Sequence, residues 1–199
     1  FASVELAKIA MSEGDYRKAV SLLEGCLTYR ENFGEGKLQE AQDNDFNFLL
    51  GLAYEKAGDY EKAKEYWAKA IQGPSEPVAA LYYNDAKPDK IFYQGLALRF
   101  LGREEEARGR FYKLVNFGER HIFDEVKMDY FAVSLPDLQI WDRDLSEMNA
   151  VHCCYMLALG YEGLGRRADS EETLSRITTM DPCHQGAMSL RSLVSLILK

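Results

Sequence analysis

Five sulfur and imidazole side chains crowd the C-terminal quarter of the chain: His152, Cys153, Cys154, Cys183 and His184. Thiolate and imidazole are the usual zinc ligands, so the set raises the question of a metal centre. Its spacing argues against one. His152 and Cys153 are consecutive within a helical pattern and point apart, and no Cys-x-x-Cys pair occurs. The expectation is that the cysteines pack as small apolar residues in the last helix pair, with no metal and no cofactor. A second set, Asp137, Asp142, Asp144 and Glu147, offers carboxylates for general acid and base work or for a calcium loop. A calcium loop alternates oxygen ligands and then turns on a glycine, which does not follow Asp144, so a solvated loop is expected. Neither a phosphate-cradling glycine loop nor a nucleophile elbow is present. The residues that could do chemistry therefore point away from catalysis, and the expectation is a protein that is not an enzyme.

Composition narrows the partners. A formal net charge of −8 argues against a phosphate-rich ligand, because nucleic acid binding draws on clustered lysine and arginine. Anionic membrane surfaces are disfavoured on the same ground, and no run of eighteen apolar residues exists. Four cysteines without a disulfide-framework spacing suit a reducing compartment, so a cytoplasmic location is expected. The opening FASVELAK lacks an initiator methionine and a basic-then-apolar leader, and reads as an excised piece of a longer protein.

The elements that would position any site are best seen in residues 47–75, NFLLGLAYEKAGDYEKAKEYWAKAIQGPS. Phe48, Leu49, Leu52 and Ala53 recur at helical spacing, and Tyr60, Ala63, Trp67, Ala70 and Ile71 form the apolar stripe of a second helix. Between them, Gly58 can take the left-handed conformation that ends a helix, and Asp59 can cap the next one. The unit is a tight antiparallel helix pair. Gly51, inside the first helix, costs about 1 kcal/mol relative to alanine, and close approach of the second helix is the natural compensation.

This unit resembles a tetratricopeptide repeat (TPR), whose pattern is met here by Gly51, Tyr54, Ala63, Trp67 and Ala70 around the turn glycine Gly58. Three further units follow the same register. Gly14 is flanked by Ala7, Ala10, Ala19, Leu23 and Cys26; Gly102 by Gly95, Leu98, Ala107, Phe111 and Leu114; Gly165 by Ala158, Tyr161, Ser170, Leu174, Ile177 and Pro182. The first three turn glycines are spaced by 44 residues, against 34 in the standard repeat, so the loops between pairs must hold the excess. The long inserts, with YYNDAKPDK and DYFAVSLPDL, also look like the C-terminal repeat region of large bacterial proteins whose N-terminal domain is uncharacterised.

The resemblance implies an all-α fold, a right-handed α-solenoid of about four helix pairs in one domain. The repeats fall at about 1–31, 44–75, 88–117 and 151–182, with an insert at 118–148 and a capping helix at 184–198. It also implies that the first helix of each pair lines a concave groove where a protein or peptide docks. Ten, six and three residues before each turn glycine, those positions are Phe48, Leu52 and Glu55; Phe92, Leu96 and Arg99; Tyr155, Leu159 and Glu162, with Val4, Lys8 and Met11 in the first unit. An apolar groove with aromatic anchors fits an amphipathic helix or an extended peptide. The insert or a missing N-terminal part of the chain is the alternative occupant, and those aromatics would then be core. Leu196 and Leu198 on the far face of the last helix leave room for a homodimer. The expected function is a non-catalytic interaction or assembly scaffold; the alternative is an accessory domain of a larger enzyme, such as one acting on carbohydrate, whose chemistry lies elsewhere.

Overall fold

A computed structural model of the chain describes residues 2–28, 41–79, 87–126 and 144–198. All nine elements among them are helices: α1 (Ala2–Ser12), α2 (Tyr16–Cys26), α3 (Asn44–Lys56), α4 (Tyr60–Ala70), α5 (Asp89–Phe100), α6 (Glu104–His121), α7 (Leu145–Gly163), α8 (Arg167–Met180) and α9 (Gln185–Leu198). Most of the expected 32–43 loop, of the VAALYY stretch and of the 118–148 insert, Asp137 and Asp142 included, lies outside the described residues.

Four turns of one design fold the first eight helices into hairpins. Gly14, Gly58, Gly102 and Gly165 have φ of 84°, 87°, 75° and 76°. At each, the residue after the glycine donates back to a carbonyl five residues earlier, as Asp59 does to Tyr54 at 2.9 Å and Arg166 to Tyr161 at 2.8 Å. Asp15 and Asp59 then cap the second helix by accepting from the Lys18 and Lys62 amides. Arg103 and Arg166 stand at the same position in the later hairpins and pair instead with Glu106 and Asp169 in the first helical turn.

Inside each hairpin one small and one large residue share a contact. A Cβ on Gly51 would overlap the Trp67 indole, and one on Gly95 would overlap the Phe111 ring. Ala7 with Leu23, and Ala158 with Leu174, hold the equivalent positions and are buried. Glycine thus goes with an aromatic and alanine with leucine, so the gap between the paired helices is filled to a similar depth.

Successive hairpins pack in series, α2 on α3, α4 on α5 and α6 on α7, while the first helices form their own row, α3 on α5 and α5 on α7. Phe48 on α3 meets the Tyr93 and Phe100 rings of α5 at 6.0 and 5.6 Å, which joins the second and third hairpins through aromatic contacts. The crossing of α6 and α7, the two longest helices, is admitted by glycines on both sides. Gly160 and Gly163 of α7 admit Val115 and Phe111, and Gly118 of α6 admits Leu157. For that reason α6 runs past residue 117 to His121, and α7 starts at Leu145 instead of 151. Asn149 of α7 donates to the His121 carbonyl at 2.7 Å and so satisfies the exposed end of α6.

A recurrent amide clamp holds the ends of the hairpins. Asn44, at the start of α3, donates to the Ala70 and Gln72 carbonyls at 2.6 and 2.8 Å, and Gln94 of α5 donates to Gln72 and Pro74 at 3.1 and 3.0 Å. Helix α9 packs on α7 and α8 and also reaches α1, so the last element touches the first. No helix of the described residues is long and apolar enough to cross a membrane.

Candidate functional site: the inner row of first helices

The inner row is built by register. Counting back from each turn glycine, the positions six and ten residues before it lie on one face of α1, α3, α5 and α7, and in the described conformation most of them are packed. Phe48 and Leu52 are fully buried, as are Leu159, Phe92 and Leu96 at 1, 1 and 5 % exposure. These five are core: Phe48 meets two rings of the next hairpin, and Phe92 meets Tyr93 at 5.7 Å and Phe111 at 5.9 Å within its own. Val4 and Met11 are buried as well, and Lys8 lies buried with its ammonium 2.8 Å from Glu5.

The remaining four expected groove residues differ. Glu55 is half-buried at the end of α3. Arg99 is occupied: its guanidinium grips Glu104 at 3.0 and 2.9 Å, donates to the Gly163 carbonyl at 2.7 Å and lies 5.1 Å from the Phe111 ring centre. It fastens the third hairpin to the fourth, a duty its spacing does not reveal. Glu162 is raised above the usual carboxylate range chiefly by burial, with Arg167 at 3.7 Å opposing. Tyr155 is half-buried and faces α9, where Gly186 and His184 lie against its ring.

One further row escaped the sequence reading. Thirteen residues before the turn glycines stand Asp45, Asp89 and His152, one helical turn back from the aromatics. Asp45 pairs with Lys90 at 2.6 Å, and Lys90 sits 5.4 Å from the Phe46 ring centre. Burial raises the Asp89 carboxyl, while Lys90 pulls it back. Burial likewise pushes the Tyr93 and Tyr155 hydroxyls up and the His152 and His184 rings down. The same register arithmetic, carried one turn further, would have found this row.

The described members of the sulfur-imidazole and carboxylate sets are engaged otherwise. His152 Nε2 lies 3.1 Å from the Val78 carbonyl and its ring packs on Phe117 at 5.9 Å. Cys153 is buried with its thiol 3.7 Å from Asn149 Oδ1, and burial pushes it up to about 12; Cys154 is raised for the same reason. Neither is disposed to become a thiolate ligand. Among the described residues no three His, Cys, Asp or Glu side chains converge as a metal site. Asp144 caps α7 by accepting from Ser146 at 2.8 Å, and Glu147 lies in that helix's first turn, where its charge complements the dipole. An outer pocket of about 260 Å³ between Glu76, Pro77 and α6 is lined by Lys113, Phe117, Arg120 and His121. Lys113 is paired there with Glu76, and His121 with Asp124.

Two models described as "Tetratricopeptide repeat" match the sequence, over residues 2–36 and 45–72. An uncharacterised protein of Methanocaldococcus jannaschii is 41 % identical over 69 residues, which is 35 % of this chain and 69 % of that one. Photosystem I assembly protein Ycf3 of Rippkaea orientalis is 28 % identical over 122 residues, 57 % of this chain, and the match spans only 60 % of Ycf3. A solved Podosopora anserina structure assigned as a kinesin light chain, with nearly identical TPR-like repeats, aligns over 92 % of this chain and 95 % of its own at 15 % identity and a TM-score of 0.31. That last likeness is too loose to carry an argument, and the fold rests on the hairpins themselves.

Proposed function

The chain belongs to the tetratricopeptide repeat family, and from that premise we propose that it is a non-catalytic scaffold that holds a protein or peptide against the inner side of its first helices. What supports this reading most is the shared register: the same face of α3, α5 and α7 is presented in order along one row. The buried Phe48, Leu52, Phe92, Leu96 and Leu159 stiffen that wall from beneath, while the half-buried Glu55, Tyr155 and Glu162, together with Tyr93 and Asp89, form its rim. Arg99 contributes by fixing the angle between the third and fourth hairpins. The name of the Ycf3 relative supports assembly as the task. A cytoplasmic setting belongs to the same proposal and is supported by four cysteines that remain thiols. A second copy of the chain is a further partner, favoured by the exposed Leu198 and Met188 on α9, whereas Leu196, expected on that far face, is buried against the stack.

Photocrosslinking in cells tests it. A photoreactive amino acid at Glu55 or Glu162 should trap a discrete partner, whereas one at exposed Lys64 on α4 should not. Equal labelling from all three positions, or labelling from Lys64 alone, would move the docking surface off the inner row.

A further inference from the structure

Helix α9 begins on a histidine. The Ala187 amide donates to His184 Nδ1 at 3.1 Å, and the Met188 amide donates to the His184 carbonyl at 3.2 Å. His184 therefore caps the helix, with its ring doing what a hydroxyl or carboxylate usually does. A nitrogen that accepts must keep its lone pair, so the capping form is the neutral imidazole with its proton on Nε2. The same ring lies 4.9 Å from the Tyr155 ring, and a Cβ on Gly186 would come within 2.6 Å of the Tyr155 hydroxyl oxygen. Beyond that point α9 turns Ala187, Leu190, Leu193 and Leu196 inward, pairs Arg191 with Glu171 of α8 at 3.0 Å, and reaches α1. The helix thus ties the last hairpin to the first, and its seating starts at His184.

We propose that α9 is a pH-sensitive latch: neutral His184 caps the helix and seats it across the two ends of the stack, and protonation of that ring releases it. Two effects act in the same direction. Protonation turns Nδ1 from an acceptor into a donor, so the Ala187 amide meets an N–H in place of a lone pair. It also sets a positive charge against the positive end of the helix dipole. The charged and titratable groups that face the ring are Tyr155 and His152 from α7, Asp89 from α5, and Asp181 from the α8–α9 connection. Burial holds His184 below its ordinary value, outweighing Asp181, a hydrogen bond to the residue's own backbone and Asp89, which all favour the protonated ring. A folded-state value that is lowered makes the stabilisation complete above the ordinary histidine range, at about 6.5, and removes it as the pH falls through the lowered value. His152, held down by burial in the same way, adds repulsion once either ring is charged. The latch requires nothing of the docking partner and stands apart from the scaffold reading.

Hydrogen exchange on the full chain at pH 7.5 and 5.0, corrected for the intrinsic rate at each pH, tests the latch in four proteins: wild type, His184→Asn, His184→Asp and His152→Asn. Asparagine and aspartate both cap helices well, and neither titrates across this range. Amides 188–198 of the wild type should lose about tenfold in protection at pH 5.0 relative to those of α3–α6, a factor equal to about 1.4 kcal/mol. The loss should persist in His152→Asn and be absent from at least one of the two capped variants. Unchanged α9 protection in the wild type, the same loss in both His184 variants, or an α9 unprotected in both at pH 7.5 would overturn the latch.

Discussion

Replacing Gly51 with alanine sets two effects of known size against each other. On helix propensity alone, alanine inside α3 should stabilise the protein by about 1 kcal/mol. The added methyl, however, would press into the Trp67 indole, with Cε2 at 2.9 Å and two ring atoms nearer still. Overpacking of this kind costs about 1–3 kcal/mol, so the net expectation is a loss of about 0–2 kcal/mol where a surface helix would gain. The companion change is Trp67→Leu. Alone it opens a cavity and should cost about 2 kcal/mol. It sacrifices no hydrogen bond to the described residues, among which Trp67 Nε1 has no acceptor. Together the two changes rebuild in the second hairpin the alanine and leucine that the first and fourth hairpins carry at Ala7 with Leu23 and Ala158 with Leu174. The double variant should therefore be more stable than the sum of the single losses, by about 1 kcal/mol or more. Urea denaturation of the wild type, the two single variants and the double variant gives the coupling directly from the midpoints. A Gly51→Ala protein that gains the full propensity term, or strictly additive losses, would refute the size-matching argument.

Three other outcomes follow from the packing. Asn44→Ala leaves the Ala70 carbonyl without its side-chain donor in a buried place, while the Gln72 carbonyl keeps Gln94, and should lower stability by about 1–3 kcal/mol, read from thermal unfolding. Asp89→Asn should stabilise the protein at neutral pH. A carboxyl raised by burial contributes fully only below its ordinary range, so the gain should shrink as the pH falls and vanish below about 4 in denaturant titrations at several pH values. Cys183, exposed, should react with a thiol reagent before half-buried Cys26 and long before Cys153 and Cys154, as alkylation followed by peptide mass analysis would show.

The hairpins were legible because the features that make them are local. A glycine that must adopt positive φ, an aspartate one residue later, and small and large residues seven before and nine after the turn all act within one unit. Gly51 marks a point of close approach for that reason, and Trp67 fills it. What covers the outward side of a first helix is not local. Periodicity assigned Phe48, Leu52, Phe92, Leu96 and Leu159 to one face, but whether a face is open depends on the rotation between hairpins, and that rotation is fixed by contacts such as Phe48 on Phe100 and Arg99 on the Gly163 carbonyl. The reach of α6 to His121 was hidden by Gly118, which reads as a helix end in sequence and serves as a crossing point against Leu157. Asn44 and Gln94 are not legible in sequence, because polar residues on a helix are usually wet, whereas here both are buried and spent on carbonyls.

The hairpins continue into one another through their first helices, and aromatic nuclear Overhauser contacts test that continuity most directly. Cross-peaks from the Phe48 ring to Tyr93 and to Phe100 are predicted, together with one from Tyr155 to the Gly186 α-protons, since these pairs join α3 to α5 and α7 to α9. A spectrum with contacts inside hairpins, such as Tyr54 to Tyr66, but none between them would contradict a continuous inner row.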